Sequence, residues 1–231
     1  MTWFLLSLTA ALGLATADAL TKRFLSDLPA YRMGVVRILS TAPWMILALV
    51  FIPSAAPDRT FWLAMGAALP LELSAFFLYM KALKLSPLSL SLPFLAFTPV
   101  FMILTGRFIL GESIGPGGTA GIGLIVLGAY VLNLSRMKAG FLEPVRAVIR
   151  EPGSWIMLLV SFIYSLTAPL GKVAILHSNP FFFAAVYNLV LSALIVGLWP
   201  VASGRAPVRS IFSRPGPMVL IGLAAAADNF A

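Results

Sequence analysis

Residues 66–86 read GAALPLELSAFFLYMKALKLS, an apolar stretch that carries one acid, Glu72, near its middle. A helix of about 20 apolar residues crosses the ~30 Å hydrocarbon core of a bilayer. Similar stretches recur along the 231-residue chain, which is 60% hydrophobic and only 10% charged. A soluble domain of this size needs many more charged residues on its surface. The sequence therefore predicts an all-α integral membrane protein with several spans.

The apolar stretches set the predicted spans, and no segment is left for a soluble domain. We place the spans at about residues 3–21, 31–52, 61–81, 87–110, 117–135, 154–174 and 181–201, with an incomplete eighth span at 216–231.

The composition argues against several classes of function. The chain has no cysteine and a single histidine, His177, which is unlike disulfide-linked, thiolate or zinc proteins. Its net charge of +8 comes from basic residues in short loops, without an aromatic and basic surface stretch for nucleic acid. No set of catalytic acids or Ser/Lys pairs at helical spacing is visible. We therefore predict no cofactor, no metal, no nucleic-acid partner and no enzymatic activity.

The chain matches itself at an offset of about 150 residues. In this alignment Arg37 falls on Asn188, and Glu72 falls on Asp228. The repeating unit has five spans, and an odd number turns the second copy upside down in the membrane, as in many secondary transporters.

The repeat divides the chain into a first five-helix repeat (1–138), a basic interfacial linker (139–153) and an incomplete second repeat (154–231). The second copy ends partway through its third span, so a chain that ends there is not expected to transport. These boundaries predict an inverted repeat that is truncated within the eighth helix.

The distribution of basic residues predicts the orientation. Of the 16 Lys and Arg residues, the loops after spans 1, 3, 5 and 7 hold 12, and the loops after spans 2, 4 and 6 hold 3. Cytoplasmic loops carry the excess of Lys and Arg, so we expect the N-terminus outside the cytoplasm.

Span 4 and its exit, residues 82–133, contain a PVF at Pro99, an LGE ending at Glu112 and a glycine-rich following span. With these features the chain resembles the drug/metabolite transporter superfamily, specifically its EamA-type members. The resemblance implies a ten-helix fold of two inverted repeats, a bacterial inner or plasma membrane location and transport of amino acids, nucleobases or related metabolites. That family is usually drawn with a cytoplasmic N-terminus, opposite to the orientation that the charges indicate.

Glu72 lies about ten residues from either end of its span, where an ionised acid costs at least ~2.5 kcal/mol. It should face a cavity or be a protonated group bonded to a neighbouring helix. Since the repeat duplicates the acid, we expect Glu72 and Asp228 to face each other across a central cavity. There they would bind a cationic or zwitterionic substrate or carry a coupling proton.

Three more residues complete the predicted substrate-binding set. Arg37 lies two turns inside span 2, where it either contacts substrate or extends to the interface, and its repeat partner Asn188 is also polar. Tyr79 is seven residues from Glu72 and on nearly the same face, although an interfacial aromatic belt explains it equally well. The candidates are therefore Glu72, Arg37, Tyr79, Asn188 and Asp228.

Other residues are given structural roles. Asp18 and Lys22, four residues apart, are interpreted as an ion pair at a span end. Pro93 and Pro99 should interrupt the helix of span 4, and the glycines on one face of span 5 should allow close helix approach.

The predicted function is secondary active transport of small metabolites by alternating access, with or without proton coupling. Two alternatives stay open at this point, a flippase for a lipid-linked head group and a non-transporting membrane scaffold. The expected partners are a small-molecule substrate and the lipid bilayer.

Overall fold

The computed structural model describes residues 2–52, 56–132, 151–203 and 215–230, and every regular element among them is a helix. The elements are α1 (Thr2–Leu25), α2 (Ala30–Phe51), α3 (Arg59–Leu85), α4 (Leu88–Ser91), a 3-10 helix (Leu92–Phe97), α5 (Thr98–Leu110), α6 (Pro116–Leu132), α7 (Pro152–Leu176), α8 (Pro180–Gly197), α9 (Trp199–Ala202) and α10 (Pro215–Phe230).

Within the described ranges, six helical segments are long and apolar enough to cross a membrane, and α6 is a shorter apolar helix. Helices suit the hydrocarbon core because every backbone hydrogen bond is made inside the segment. Several helices start at a proline, whose missing N–H is harmless in the first turn. The chain is therefore an all-helical, multi-pass integral membrane protein, as predicted.

Span 4 is interrupted, which confirms the expectation from its prolines. A 3-10 segment, Leu92–Phe97, separates α4 from α5, and Pro93 and Pro99 lie in the first turns of the 3-10 segment and α5. A proline in mid-helix removes a backbone donor and its ring displaces the preceding turn, so the α-helical ladder does not continue.

The chain forms two compact units, and each combines segments that are distant in sequence. Unit 1 comprises Met1–Met65 and Ala174–Ala231, and unit 2 comprises Gly66–Val173. The units do not coincide with the repeats of 1–138 and 154–231, whose boundaries stay a prediction. The linker at 139–150 lies outside the described residues.

In unit 1, α10 packs against both α1 and α2, which contact each other little. Two glycines allow this close approach. A Cβ at Gly13 would lie 2.7 Å from the carbonyl oxygen of Ala224, and a Cβ at Gly222 would collide with the carbonyl oxygen of Ser40. The backbones therefore touch where side chains would keep them apart.

In unit 2, α3 and α7 make contacts in antiparallel order. The N–H of Gly153, at the start of α7, donates to the hydroxyl of Ser86, just after α3, at 3.1 Å. Further along the two helices, Tyr79 and Tyr164 have ring centroids 6.5 Å apart. The hydroxyl of Thr105 on α5 donates to the carbonyl oxygen of Ser165 at 2.7 Å. These contacts hold α5 and α7 together and bring one face of α3 to α7.

The expectation of close helix approach along span 5 is wrong for the described residues. A Cβ at Gly117, Gly121 or Gly128 would meet no atom within 4 Å. Gly117 and Gly128 lie on an exposed face of α6, which is available to lipid rather than to another helix of the described chain.

Asp58, which precedes α3 outside the membrane spans, should make stability depend on pH. Its carboxylate accepts a hydrogen bond from the N–H of Phe61 at 2.9 Å and contacts Nδ1 of His177 at 2.8 Å. The N–H of Phe61, followed by His177, holds the pKa of Asp58 below its ordinary value of 3.8. A lowered folded-state pKa stabilises the fold above the unfolded-state pKa, and the stabilisation is lost as the pH falls through the lowered value.

We therefore expect the melting temperature of the purified protein to fall as the pH drops from about 5 through the lowered pKa of Asp58, and Asp58→Asn to remove part of that fall. Asparagine caps a helix as well as aspartate does but carries no titrating charge. His177→Gln should keep most of the fall, because the Phe61 N–H is the larger influence on Asp58. An Asp58→Asn protein with the full wild-type dependence would contradict this assignment.

Candidate functional site

The interior of unit 1 contains a buried ion pair. Arg37 lies on α2, seven residues from its start, and its guanidinium donates to the carboxylate of Asp18 on α1. The exposed fraction is 9% for Arg37 and 1% for Asp18. The expectation that Arg37 extends to the membrane interface is therefore wrong, because a buried anion neutralises it inside the unit.

Asp228 on α10 joins this pair. Its partly buried carboxylate is within electrostatic range of Arg37, which attracts it, and of Asp18, which repels it. The close crossing of α1 and α10 explains the placement, since a Cβ at Gly13 would lie 2.8 Å from the backbone nitrogen of Asp228. Two acids therefore share the neighbourhood of one guanidinium.

Asn188 on α8 lies at the level of Arg37. The hydroxyl of Tyr31, at the start of α2, donates to the carbonyl oxygen of Ile195 near the end of α8 at 2.5 Å. At the opposite ends of these helices, His177 contacts Asp58, so α2 and α8 run antiparallel. Arg37 is six residues after Tyr31, and Asn188 is seven before Ile195. At a rise of 1.5 Å per residue their levels differ by only ~1.5 Å.

Two buried polar atoms in this region have no hydrogen-bond partner among the described residues, Oδ1 of Asn188 and Oγ1 of Thr21. Asn188 is 9% exposed and Thr21 is fully buried. Thr21 follows Asp18 by three residues on α1 and so lies on the same helix face. An orphaned polar atom away from water costs free energy unless a bound molecule satisfies it. We call Asp18, Thr21, Arg37, Asn188 and Asp228 the unit-1 polar residues.

The remaining two predicted residues belong to unit 2. Glu72 is partly buried on α3, and the side chain of Thr167 on α7 is its hydrogen-bond partner. Tyr79 is buried, with 4% of its surface exposed, and its ring lies beside that of Tyr164. Both residues therefore contact α7.

The structure thus brings three of the five predicted residues together in unit 1 (Arg37, Asn188, Asp228) and the other two in unit 2 (Glu72, Tyr79). It adds Asp18, Thr21 and Thr167, which are not among the predicted substrate-binding residues. The sequence shows an acid, Asp18, inside the first apolar stretch. Its spacing from Lys22 predicts an ion pair at a span end and gives no sign of a role in binding. Nothing in the sequence distinguishes Thr21 and Thr167 from other threonines.

The side chains of these residues suit the binding of a polar ligand. Within the described residues, no group of three or more His, Asp or Glu side chains could hold a metal ion. The unit-1 polar residues offer carboxylates, one guanidinium, one amide and one hydroxyl in an apolar surrounding. Such groups in a membrane interior face a cavity or a partner, because exposure to lipid is costly.

Comparison with known proteins identifies the family to which the chain belongs. The sequence profile of the EamA-like transporter family matches residues 1–134, more than half of the chain. Neither the curated proteins nor the solved structures give a match. Members of this family are generally not enzymes. With its apolar helices and this match, the chain belongs to the EamA-like transporter family of the drug/metabolite transporter superfamily and is a multi-pass membrane transporter.

Proposed function

We propose that the protein is a secondary active transporter of small polar metabolites that works by alternating access, in a bacterial inner or plasma membrane. The family supports a transporter of small molecules, and the proposed substrate-binding residues are Glu72, Arg37, Tyr79, Asn188 and Asp228. The inverted five-helix repeat belongs to the same proposal.

The proposal rests mainly on the charged side chains inside unit 1. Arg37 and Asp18 are buried on membrane-spanning helices, and Asp228 lies close enough to feel both charges. Charged side chains at this depth are rare and mark substrate or ion pathways, because each one costs insertion energy. A scaffold that transports nothing gains no function from this cost, so transport is favoured over that alternative.

Glu72 has a separate place in the proposal. It lies inside a span, its partner Thr167 is a neutral hydroxyl, and no basic side chain among the described residues acts on it. An acid in such surroundings exchanges protons or receives a cation more readily than one fixed by a salt bridge. We therefore assign Glu72 to substrate binding or to carrying the coupling proton.

Glu72→Gln tests this assignment. Glutamine keeps the size and the hydrogen bond to Thr167 but removes the exchangeable charge, so we expect normal folding and loss of transport or of its pH dependence. A thermal-shift screen of small metabolites first identifies a ligand, since ligands that bind the folded state raise its melting temperature. Transport of that ligand is then measured with the full-length protein in proteoliposomes at several pH values.

Glu112→Gln is the matched control. Glu112 is exposed and forms an ion pair with Nζ of Lys172 at 2.7 Å, so its loss should leave transport unchanged. Normal transport with an unchanged pH profile in Glu72→Gln would show that Glu72 is a structural residue. A full-length protein that binds no metabolite and moves none would refute the transporter itself.

A further inference from the structure

We propose that Thr167 is a positioning residue for Glu72, and that their hydrogen bond reverses its direction when Glu72 takes up or releases a proton. This inference rests on the proposed function, in which Glu72 binds substrate or carries the coupling proton, and it adds a residue to that site. It concerns unit 2 alone, to which both residues belong.

The hydroxyl of Thr167 has two partners among the described residues. It is bonded to the side chain of Glu72 on α3, and the carbonyl oxygen of Tyr164, in its own helix α7, lies 3.5 Å from its Oγ1. A hydroxyl hydrogen bond is ordinarily about 2.8 Å long, so Tyr164 offers a weak acceptor that the hydroxyl can leave at little cost. Thr167 is buried, with 7% of its surface exposed, so these two partners decide where its hydrogen points.

A threonine hydroxyl can serve both forms of the acid, because it has one hydrogen, which rotates, and two lone pairs. An ionised Glu72 only accepts, so Thr167 then donates to it and leaves the Tyr164 carbonyl. A protonated Glu72 has an O–H of its own, which is costly to bury without an acceptor. Oγ1 of Thr167 accepts it, and the Thr167 hydrogen turns to Tyr164. The bond between α3 and α7 is therefore made in both states.

No charged side chain takes this role from Thr167 in the part of the chain that the structure describes. The influences on Glu72 are its burial and the Thr167 hydroxyl. The other titratable side chains of α3, α5 and α7 are Arg59, Tyr79, Lys81, Lys84, Arg107, Tyr164 and Lys172. None of them is among the groups that act on Glu72. The response to a proton on Glu72 is therefore the rotation of a neutral hydroxyl.

The backbone of α7 is held in place on both sides of Thr167. Pro169 has no N–H, so the carbonyl oxygen of Ser165, four residues earlier, loses its usual helix bond. The hydroxyl of Thr105 on α5 donates to this oxygen at 2.7 Å instead. Ser165 and Pro169 flank Thr167, so α5 fixes the turn of α7 that presents the hydroxyl to Glu72.

Both ends of the bond lie beside a proline inside a helix. Pro70 precedes Glu72 by two residues in α3, and Pro169 follows Thr167 by two residues in α7. Prolines are the usual sites of helix kinks, because each one removes a backbone bond. A side-chain bond that persists in both protonation states keeps these two segments together while a proton or a substrate arrives and leaves.

The melting temperature of the purified protein tests whether the bond is made in both states. Thr167→Val keeps the shape of the side chain without the hydroxyl, so we expect a lower melting temperature than the wild type on the acidic and on the alkaline side of the Glu72 titration. Thr167→Ser restores the hydroxyl and should recover most of the loss. A loss confined to the alkaline side would show that Thr167 only donates and would overturn the reversal.

The infrared band of the protonated carboxyl group that Glu72→Gln removes reports the proton on Glu72. Removing a hydroxyl donor costs a carboxylate more than a carboxylic acid. Thr167→Val should therefore move the midpoint of this band to higher pH, on the order of one pH unit or tenfold in proton affinity. Thr167→Ser should stay near the wild-type midpoint.

Ser165→Ala is the matched control. It removes a buried hydroxyl of the same helix that donates to the carbonyl oxygen of Phe162 at 2.6 Å, so the midpoint should not change. An unchanged midpoint in Thr167→Val overturns the proposal, and Thr167→Ala decides in the same way if the valine variant does not fold. A protein without a band that depends on Glu72 also overturns it.

Transport by the full-length protein separates this inference from the proposed function. If transport depends on Glu72 but keeps its pH profile in Thr167→Val, the role of Thr167 is refuted and the transporter stands. If the band shifts in Thr167→Val while the full-length protein moves no substrate, the role of Thr167 is supported and the transporter is refuted.

Discussion

Replacing Arg37 by methionine is expected to destabilise the protein by about 3–5 kcal/mol, the usual cost of removing one partner of a buried ion pair. Methionine fills similar volume, so lost packing should contribute little. The cost arises because Asp18 loses the guanidinium that donates to it, and the positive charge that attracts Asp228 is lost as well. The free energy of unfolding in detergent, from a denaturant titration, measures the effect.

A double-mutant cycle isolates the pair. Asp18→Asn together with Arg37→Met removes both charges, so the double variant should be more stable than the sum of the single effects predicts. Arg107→Met is the control, because Arg107 is exposed in the last turn of α5 and should tolerate the change. Additive effects of the two single changes would mean that Arg37 and Asp18 do not interact.

Replacing Gly222 by alanine should give the second largest effect, a loss of about 1–3 kcal/mol from overpacking. The new Cβ would collide with the carbonyl oxygen of Ser40 and lie 2.9 Å from Nε1 of Trp44. The backbone atoms of α2 have no rotamer to change, so α10 must move away from α2. The melting temperature of Gly222→Ala in detergent measures the loss.

Gly66→Ala is a closely matched control. The predicted repeat aligns Gly66 with Gly222, both lie inside helices, and a Cβ at Gly66 would meet nothing within 4 Å. Alanine at this exposed position should be neutral or slightly stabilising. Equal losses for the two variants would show that the effect comes from replacing a helical glycine and not from the contact with Ser40.

The helices were largely predictable, because apolar length and proline position act locally along the chain. The predicted span at about residues 154–174 corresponds to α7 (Pro152–Leu176), and Pro93 and Pro99 located the interruption of span 4. The depth of Glu72 and Arg37 in their spans was equally predictable from their distance, in residues, to the ends of the apolar stretches. Such features follow from the bilayer thickness and from backbone hydrogen bonding.

The partners of the polar residues were not predictable. Asp18 has a lysine four residues away, and local spacing favours that pair. The structure adds Arg37 from α2, which the packing of residues 215–230 against α1 and α2 helps to place. The repeat equates Glu72 with Asp228, yet Glu72 contacts a threonine and Asp228 lies near Arg37. The alignment of the repeats compares residue types only. The environment of each acid depends on which helices pack around it.

The position of α10 between α1 and α2 also constrains how the protein is made. Gly222 meets Ser40 across about 180 residues of chain. At ~5–20 residues per second, roughly 10–40 s of synthesis separate the two. For that interval α1 and α2 are in the membrane without the helix that packs against both, and the charge of Asp228 is not yet present near Arg37. The newly inserted helices therefore pass through a stage in which lipid, or the insertion machinery, must cover the surface that α10 later occupies.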